Sequence, residues 1–152
     1  GQAFGTGAHP TTRLSLELML ELEPAGSFID LGCGSGVLAI AAAKLGFGPI
    51  AALDNELAAV EATRANAAAN FVALDSVERV DLRGRDAPAG RTVAANLVRP
   101  LLLALAGRIE AERLILSGLL DSEADELAAA FAPLVERRRL SSEGWSALLL
   151  SR

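Results

Sequence analysis

The residues Asp30-Leu31-Gly32-Cys33-Gly34-Ser35-Gly36 carry the strongest chemical signal in the chain. They follow a short apolar run and open an Ala- and Leu-rich stretch, the order of a strand, a turn and a helix. Glycines permit a tight turn and let backbone approach a ligand with no Cβ in the way. The helix start beyond them offers free N–H groups and the positive end of a dipole to an anionic group. Val37 and Leu38 stand where a triphosphate-binding loop needs Lys and then Ser or Thr, which argues against a nucleoside triphosphate. The spacing is G-x-G-x-G, not the G-x-G-x-x-G of dinucleotide turns, which disfavours a nicotinamide dehydrogenase. Asp54 lies 22 residues beyond Gly32, at the end of the next apolar run. A carboxylate there accepts hydrogen bonds from ribose hydroxyls. Turn and acid together point to a nucleoside carrying an anionic end.

Other residues offer chemistry with more than one reading. Asn96 follows an apolar run, and its amide can accept from a substrate N–H and hold a nitrogen in line for attack. It is equally a residue that ends strands in turns. The opening stretch, residues 1–12, surrounds Phe4 and His9 with Gly, Pro and Thr. Phe4 can stack on a flat ring and Thr12 can donate a hydroxyl hydrogen bond; a loose terminus before a helix cap is the plainer reading. Cys33 has no neighbouring base and reads as a small half-buried side chain. One His and one Cys make no plausible metal site. Trp145 reads as a hairpin or core residue, and Arg137-Arg138-Arg139 as a solvated strand edge.

These residues need a scaffold that presents strand ends. Helices are expected over residues 11–22, 36–45, 56–70, 100–109 and 121–131, with Thr11 or Thr12 as the first cap. Strands are expected over 27–31, 49–53, 77–82, 92–95 and 113–116. Two further runs, 134–140 and 145–150, are joined by Ser141-Ser142-Glu143-Gly144 and read as an antiparallel hairpin. Strands alternating with helices mean βαβ units, so the fold class is α/β, a Rossmann-like doubly wound sheet, mostly parallel. Ligands of such sheets sit beyond the carboxyl ends of the strands. That directs attention to Gly32–Gly36, Asp54, Asn55, Asp86, Asn96 and Ser117-Gly118.

With 152 residues and no internal repeat or linker, the chain reads as a single domain over 1–152. It is 51% hydrophobic and 22% charged, too apolar for a disordered segment. One Cys excludes an internal disulfide framework and fits a reducing, cytoplasmic setting. The net charge of −5 argues against direct nucleic-acid binding and suits a basic protein partner. No apolar run is long enough to span a bilayer, so no membrane partner is expected. The chain begins at Gly1, inside a Gly-rich loop, and reads as a fragment of a longer protein.

The D-L-G-C-G-S-G turn with Asp54 resembles the class I S-adenosylmethionine-dependent methyltransferases. That resemblance implies S-adenosyl-L-methionine as cofactor, its methionine part over Gly32 and Gly34 and its ribose on Asp54. It also implies a seven-stranded sheet ending in an antiparallel hairpin. The opening G-Q-A-F-G-T-G-A-H-P-T-T is very similar to the loop before the first helix in the PrmA family. The similarity continues through Ala95-Asn96-Leu97, Ser117-Gly118-Leu119-Leu120 and Gly144-Trp145, covering essentially the whole chain. PrmA enzymes methylate a ribosomal protein of the large subunit, the eleventh by usual naming. By position, the resemblance implies Thr12, Gly32, Asp54 and Asn96 as cofactor residues, Asn96 as the catalytic one, and Phe4, Gly5 and Thr6 as a lid. The implied activity is transfer of methyl groups to lysine or N-terminal amines. A small-molecule methyltransferase, or a cofactor-binding domain inactive alone, is the alternative. Two departures stand out: Pro100 follows Asn96 one residue early, with Arg99 in the shortened segment, and the family's N-terminal substrate-recognition domain has no counterpart in these residues.

Overall fold

The computed structural model describes residues 9–152. Five helices are present among them: α1 (Pro10–Leu20), α2 (Val37–Leu45), α3 (Leu57–Ala69), α4 (Arg99–Leu105) and α5 (Ala124–Ala130). The strands are β1 (Phe28–Leu31), β2 (Ile50–Asp54), β3 (Ser76–Arg79), β4 (Gly90–Asn96), β5 (Ala111–Leu120), β6 (Val135–Ser142) and β7 (Trp145–Ser151). They form one sheet in the order β3-β2-β1-β4-β5-β7-β6. β1 to β5 pair in parallel, while β7 is antiparallel to both β5 and β6. The Rossmann-like sheet and its C-terminal antiparallel hairpin are therefore as expected.

The order of strands reverses at β1 and β4, the place where open α/β sheets hold ligands. β1 is buried along its whole length, as a central parallel strand must be. Its side chains alternate between two cores. Ile29 and Leu31 join Leu102, Leu105 and Leu127 of α4 and α5 on one face. Phe28 joins Leu14, Leu18, Leu38 and Ala42 of α1 and α2 on the other. Asp30 must then point, like Phe28, toward α2.

Several boundaries differ from expectation, each for a local reason. His9, not Thr11 or Thr12, caps α1: its Nδ1 accepts from the Thr11 N–H at 3.2 Å, so the helix starts at Pro10. β3 stops at Arg79 and leaves residues 80–83 irregular, because Asp81 folds back to accept from the Arg83 N–H at 3.0 Å. α4 ends at Leu105, ahead of Gly107 at φ +80°. A 3-10 turn, Asp121–Glu123, precedes α5 and breaks the single helix expected there. Glu123 Oε1 accepts from the Leu120 N–H at 2.7 Å and holds that turn. β5 continues past Leu116 to Leu120 through a register shift. No described helix is long and apolar enough to cross a membrane.

Candidate functional site

A cleft of about 660 Å³ opens beyond the carboxyl ends of β1, β2, β3 and β4. Gly32, Gly34, Asp54 and Asn96 all line it, so the topology brings together residues from three separate stretches of the chain. Asn55, Leu97, Val98 and Leu101 also line it.

The Gly-rich turn is held from below. Gly32 and Cys33 donate their N–H groups to the Leu53 carbonyl at 2.8 and 2.9 Å. Gly32, Gly34 and Gly36 all have positive φ, +75°, +54° and +90°, which only glycine adopts cheaply in such a run. Two polar side chains of α3 take the turn's carbonyls. Thr63 donates to Gly34 O at 3.0 Å, and Asn66 donates to Ser35 O at 2.8 Å. Neither residue was foreseen. They sit mid-helix, about thirty positions away, with no local signal that they would reach the turn.

Asp54 ends β2 and lines the cleft, as expected. Its Oδ2 accepts from the Gly34 N–H and its Oδ1 from the Glu56 N–H, both at 3.0 Å. Each carboxylate oxygen keeps a further lone pair for another donor. Asp30 lies beneath the turn, fully buried. Its Oδ2 accepts from the Ala39 N–H at 3.1 Å, while Oδ1 has no hydrogen-bond partner. Burial pushes its carboxyl up to about 7, against the opposing Ala39 hydrogen bond.

Asn96 closes β4, 8% exposed. Its Oδ1 is shielded from solvent and has no partner among the described residues. An orphaned buried acceptor costs about 1–3 kcal/mol, and active sites are where such a cost persists. The next residue, Leu97, donates its N–H to Ser117 O at 3.0 Å.

The far wall holds residues that sequence reasoning passed over. Val80, Asp81, Leu82 and Arg83 line the cleft, together with Ala58, Ala59 and Ala62 of α3. Ala58, Ala59, Ala62 and Leu82 add small and apolar side chains to the lining of the cleft. The strand end is the signal that would have found them, had β3 been ended at Arg79. Asp86, singled out instead, is exposed and pairs with Arg108 at 2.9 Å outside the cleft.

Thr12 is buried in the first turn of α1 and is not among the cleft-lining residues. Phe4, Gly5 and Thr6 lie outside the described residues. His9 packs edge-on against Trp145, ring centroids 5.4 Å apart. Arg99 turns toward α5, where its Nε and Nη2 donate to the two Glu126 carboxylate oxygens at 2.6 and 2.9 Å. Cys33 is buried, 3.3 Å from the Thr63 hydroxyl, and burial pushes its thiol up to about 12. That is no nucleophile. Arg138 and Arg139 are tied to Glu21, Asp125 and Glu136, as suits the solvated edge strand β6. Among the described residues no three His, Cys, Asp or Glu side chains could hold a metal ion.

The family described as "Ribosomal protein L11 methyltransferase (PrmA)" matches residues 1–152. A ribosomal protein L11 methyltransferase of Cupriavidus necator is 42% identical over 153 residues, covering 97% of this chain and 51% of that protein. One of Bordetella parapertussis is 46% identical over 141 residues, covering 88% and 44%. The chain thus spans about half the length of the curated relatives it matches. A crystal structure of ribosomal protein L11 methylase from Lactobacillus delbrueckii subsp. bulgaricus superposes with TM-score 0.83 at 26% identity, over 96% of this chain and 80% of that one. TrmN from Thermus thermophilus shares the fold, with TM-score 0.76 at 21% identity over 99% of this chain and 51% of that one.

Proposed function

The chain belongs to the ribosomal protein L11 methyltransferase (PrmA) family, and from that membership we propose that it binds S-adenosyl-L-methionine and methylates amines of ribosomal protein L11. One observation carries the reading: the Gly-rich turn, Asp54 and the orphaned Asn96 amide share a single cleft. The residues fit the cofactor. Gly32 and Gly34 leave its approach open, and Asp54 keeps lone pairs for two ribose hydroxyls. The small and apolar lining at Ala58, Ala59 and Leu82 suits its base. Phe4, Gly5 and Thr6 are proposed to cover it, and Thr12 to help bind it. Residues 1–152 are proposed to act as a single cofactor-binding domain.

S-adenosylmethionine supplies a methyl group already activated by its sulfonium, so the protein need provide only position and electrostatics. The acceptor is a lysine side chain, an N-terminal amine, or both. A lysine ammonium has no lone pair, and presenting it neutral at pH 7 costs about 4–5 kcal/mol. Leu97, Val98 and Leu101 give the cleft apolar lining, which favours the neutral amine. Asn96 Oδ1 accepts an N–H of that amine and turns its lone pair toward the methyl carbon. Water takes the proton that the ammonium gives up on entering the site, which leaves the neutral amine ready to accept the methyl group that S-adenosylmethionine would supply. The net charge of −5 suits a basic protein acceptor better than nucleic acid, and a ribosomal acceptor implies the cytoplasm.

Calorimetric titration with S-adenosylmethionine, with NADH as control, tests the cofactor. Binding of the first alone is expected; binding of NADH alone would end the reading. Tritium transfer from S-adenosylmethionine to purified L11 then tests the acceptor, with a steep rate rise from pH 7 to 9. A flat profile would count against desolvation of an amine.

A further inference from the structure

The segment that follows Asn96 is gripped from two sides. On one side is Gly32, the first glycine of the cofactor turn, at φ +75°. A Cβ there would collide with Leu97 Cδ2 and lie 3.3 Å from both Leu97 Cγ and the Asn96 carbonyl oxygen. On the other side is Gly118 of β5, at φ +89°. A Cβ there would collide with the Leu97 carbonyl oxygen and lie 2.9 and 3.0 Å from Leu97 C and N. The Gly118 contacts are all backbone, so no rotamer change relieves them. The Leu97 N–H also donates to Ser117 O at 3.0 Å, and Asn96 and Ser117 are register partners. Gly118 lies inside the irregular stretch between Leu116 and Leu119, where β5 shifts register against β7.

We infer that Gly118, acting through the Leu97 backbone, is a positioning residue for Asn96. The absence of a side chain at 118 lets the 96–98 segment sit deep between β1 and β5. That depth sets where the Asn96 amide stands in the cleft. Leu97 completes the grip by filling the space left by Gly32, so the cofactor turn and the amide that faces the acceptor are held against one another. The inference rests on the methyltransferase reading for its catalytic meaning, but its geometric content stands apart from that reading.

The same molecule supplies the controls. Gly107 and Gly144 also have positive φ, +80° and +84°, but a Cβ at either would meet nothing within 4 Å. Gly107→Ala and Gly144→Ala therefore carry the backbone strain alone, whereas Gly118→Ala carries strain and displacement of Leu97. The first readout is the side-chain amide resonance of Asn96 in the 15N-labelled chain, assigned by its loss in Asn96→Ala. Gly118→Ala is expected to shift or broaden it, and the control variants to leave it in place. The second readout is methylation of L11. Misplacement of the amide is expected to lower kcat by on the order of 10- to 100-fold, with a smaller loss of S-adenosylmethionine affinity, because Asp54 keeps its own hold on the turn at Gly34.

An Asn96 resonance that moves no more in Gly118→Ala than in Gly107→Ala would overturn the inference. So would a loss of cofactor affinity as large as the loss of kcat, which would mean a distorted turn. If Gly118→Ala does not fold, Leu97→Ala removes the side chain wedged against Gly32 while leaving the backbone. It is expected to broaden the same resonance, and an unchanged line would overturn the inference. The amide readout needs neither cofactor nor acceptor. Failure of the methyltransferase reading shows separately, as absent S-adenosylmethionine binding by the unsubstituted chain.

Discussion

The Asp54 carboxylate and the Gly34 N–H are joined at 3.0 Å across twenty residues of sequence. The acid expected to meet a ribose is thus also the clasp that holds the Gly-rich turn against the end of β2. Its second oxygen meanwhile starts the approach to α3 through the Glu56 N–H. Asp54→Ala removes both the proposed ribose contact and the clasp. Charge-assisted hydrogen bonds of this kind are worth about 1.5–3 kcal/mol, so S-adenosylmethionine affinity should fall by roughly 10- to 150-fold. Calorimetry on the variant measures it; unchanged affinity would put the ribose elsewhere.

Asn96 makes the opposite trade. Its buried Oδ1 has no partner among the described residues, so Asn96→Ala removes a group that costs the fold something. Urea unfolding should show stability equal to the parent or up to about 1 kcal/mol higher. Methyl transfer to L11 should be lost. A variant clearly less stable than the parent would assign Asn96 a structural role.

Asp30 gives the fold a pH dependence whose sign is fixed by its raised carboxyl. Folded, it holds a proton up to about 7; unfolded, it releases that proton near 3.8. Between those values the folded state binds more protons, so this group's contribution to stability falls as pH rises from 4 to 7, by at most about 1.4 kcal/mol per pH unit. Above 7 the contribution is level. In Asp30→Asn the amide oxygen still accepts from the Ala39 N–H, and the slope should vanish. Urea titrations at pH 5 and pH 8 check it: the parent loses stability relative to the variant at the higher pH.

Cys33 should be silent to thiol reagents in the folded chain. It is buried, and its thiol is held up to about 12 by burial and the nearby Asp30 carboxyl. At pH 8 a disulfide reagent should label it only as fast as the chain opens, and at once in urea. Rapid labelling of the folded chain would contradict the burial. Cys33→Ser should retain methyl transfer.

Gly32 and Leu97 should be strongly non-additive. Gly32→Ala places its Cβ against the end of the Leu97 side chain, and Leu97→Ala removes that obstacle. The double variant should therefore be less destabilised than the sum of the two single ones, by about 1 kcal/mol or more. Simple additivity in urea unfolding would show that Leu97 already yields in the single variant.

Much of this architecture was readable along the chain. The alternation of apolar runs with Ala-rich stretches marks βαβ units, because a buried parallel strand needs unbroken apolar residues and its crossover needs a helix. The glycines at 32, 34 and 36, and the acids and amides that end β2 and β4, mark the cleft for a similar reason. Weak or irregular elements hid the rest. β3 is half exposed and lacks an apolar pattern, so nothing along the chain marks its end at Arg79 or points to Val80, Asp81, Leu82 and Arg83 in the cleft. The 3-10 turn before α5 depends on one Glu123 hydrogen bond that periodicity does not register.

By itself, then, the order of residue types determined the fold class, the Gly-rich turn and the carboxylate after it, because each depends on neighbours within a few positions. Only the tertiary structure decided which distant groups complete the site. Thr63 and Asn66 reach the turn because α3 packs beside it. Gly118 meets Leu97 because β4 and β5 are adjacent and β5 shifts register there. A contact of that kind follows from strand order and depth of packing, which no local pattern of residues encodes.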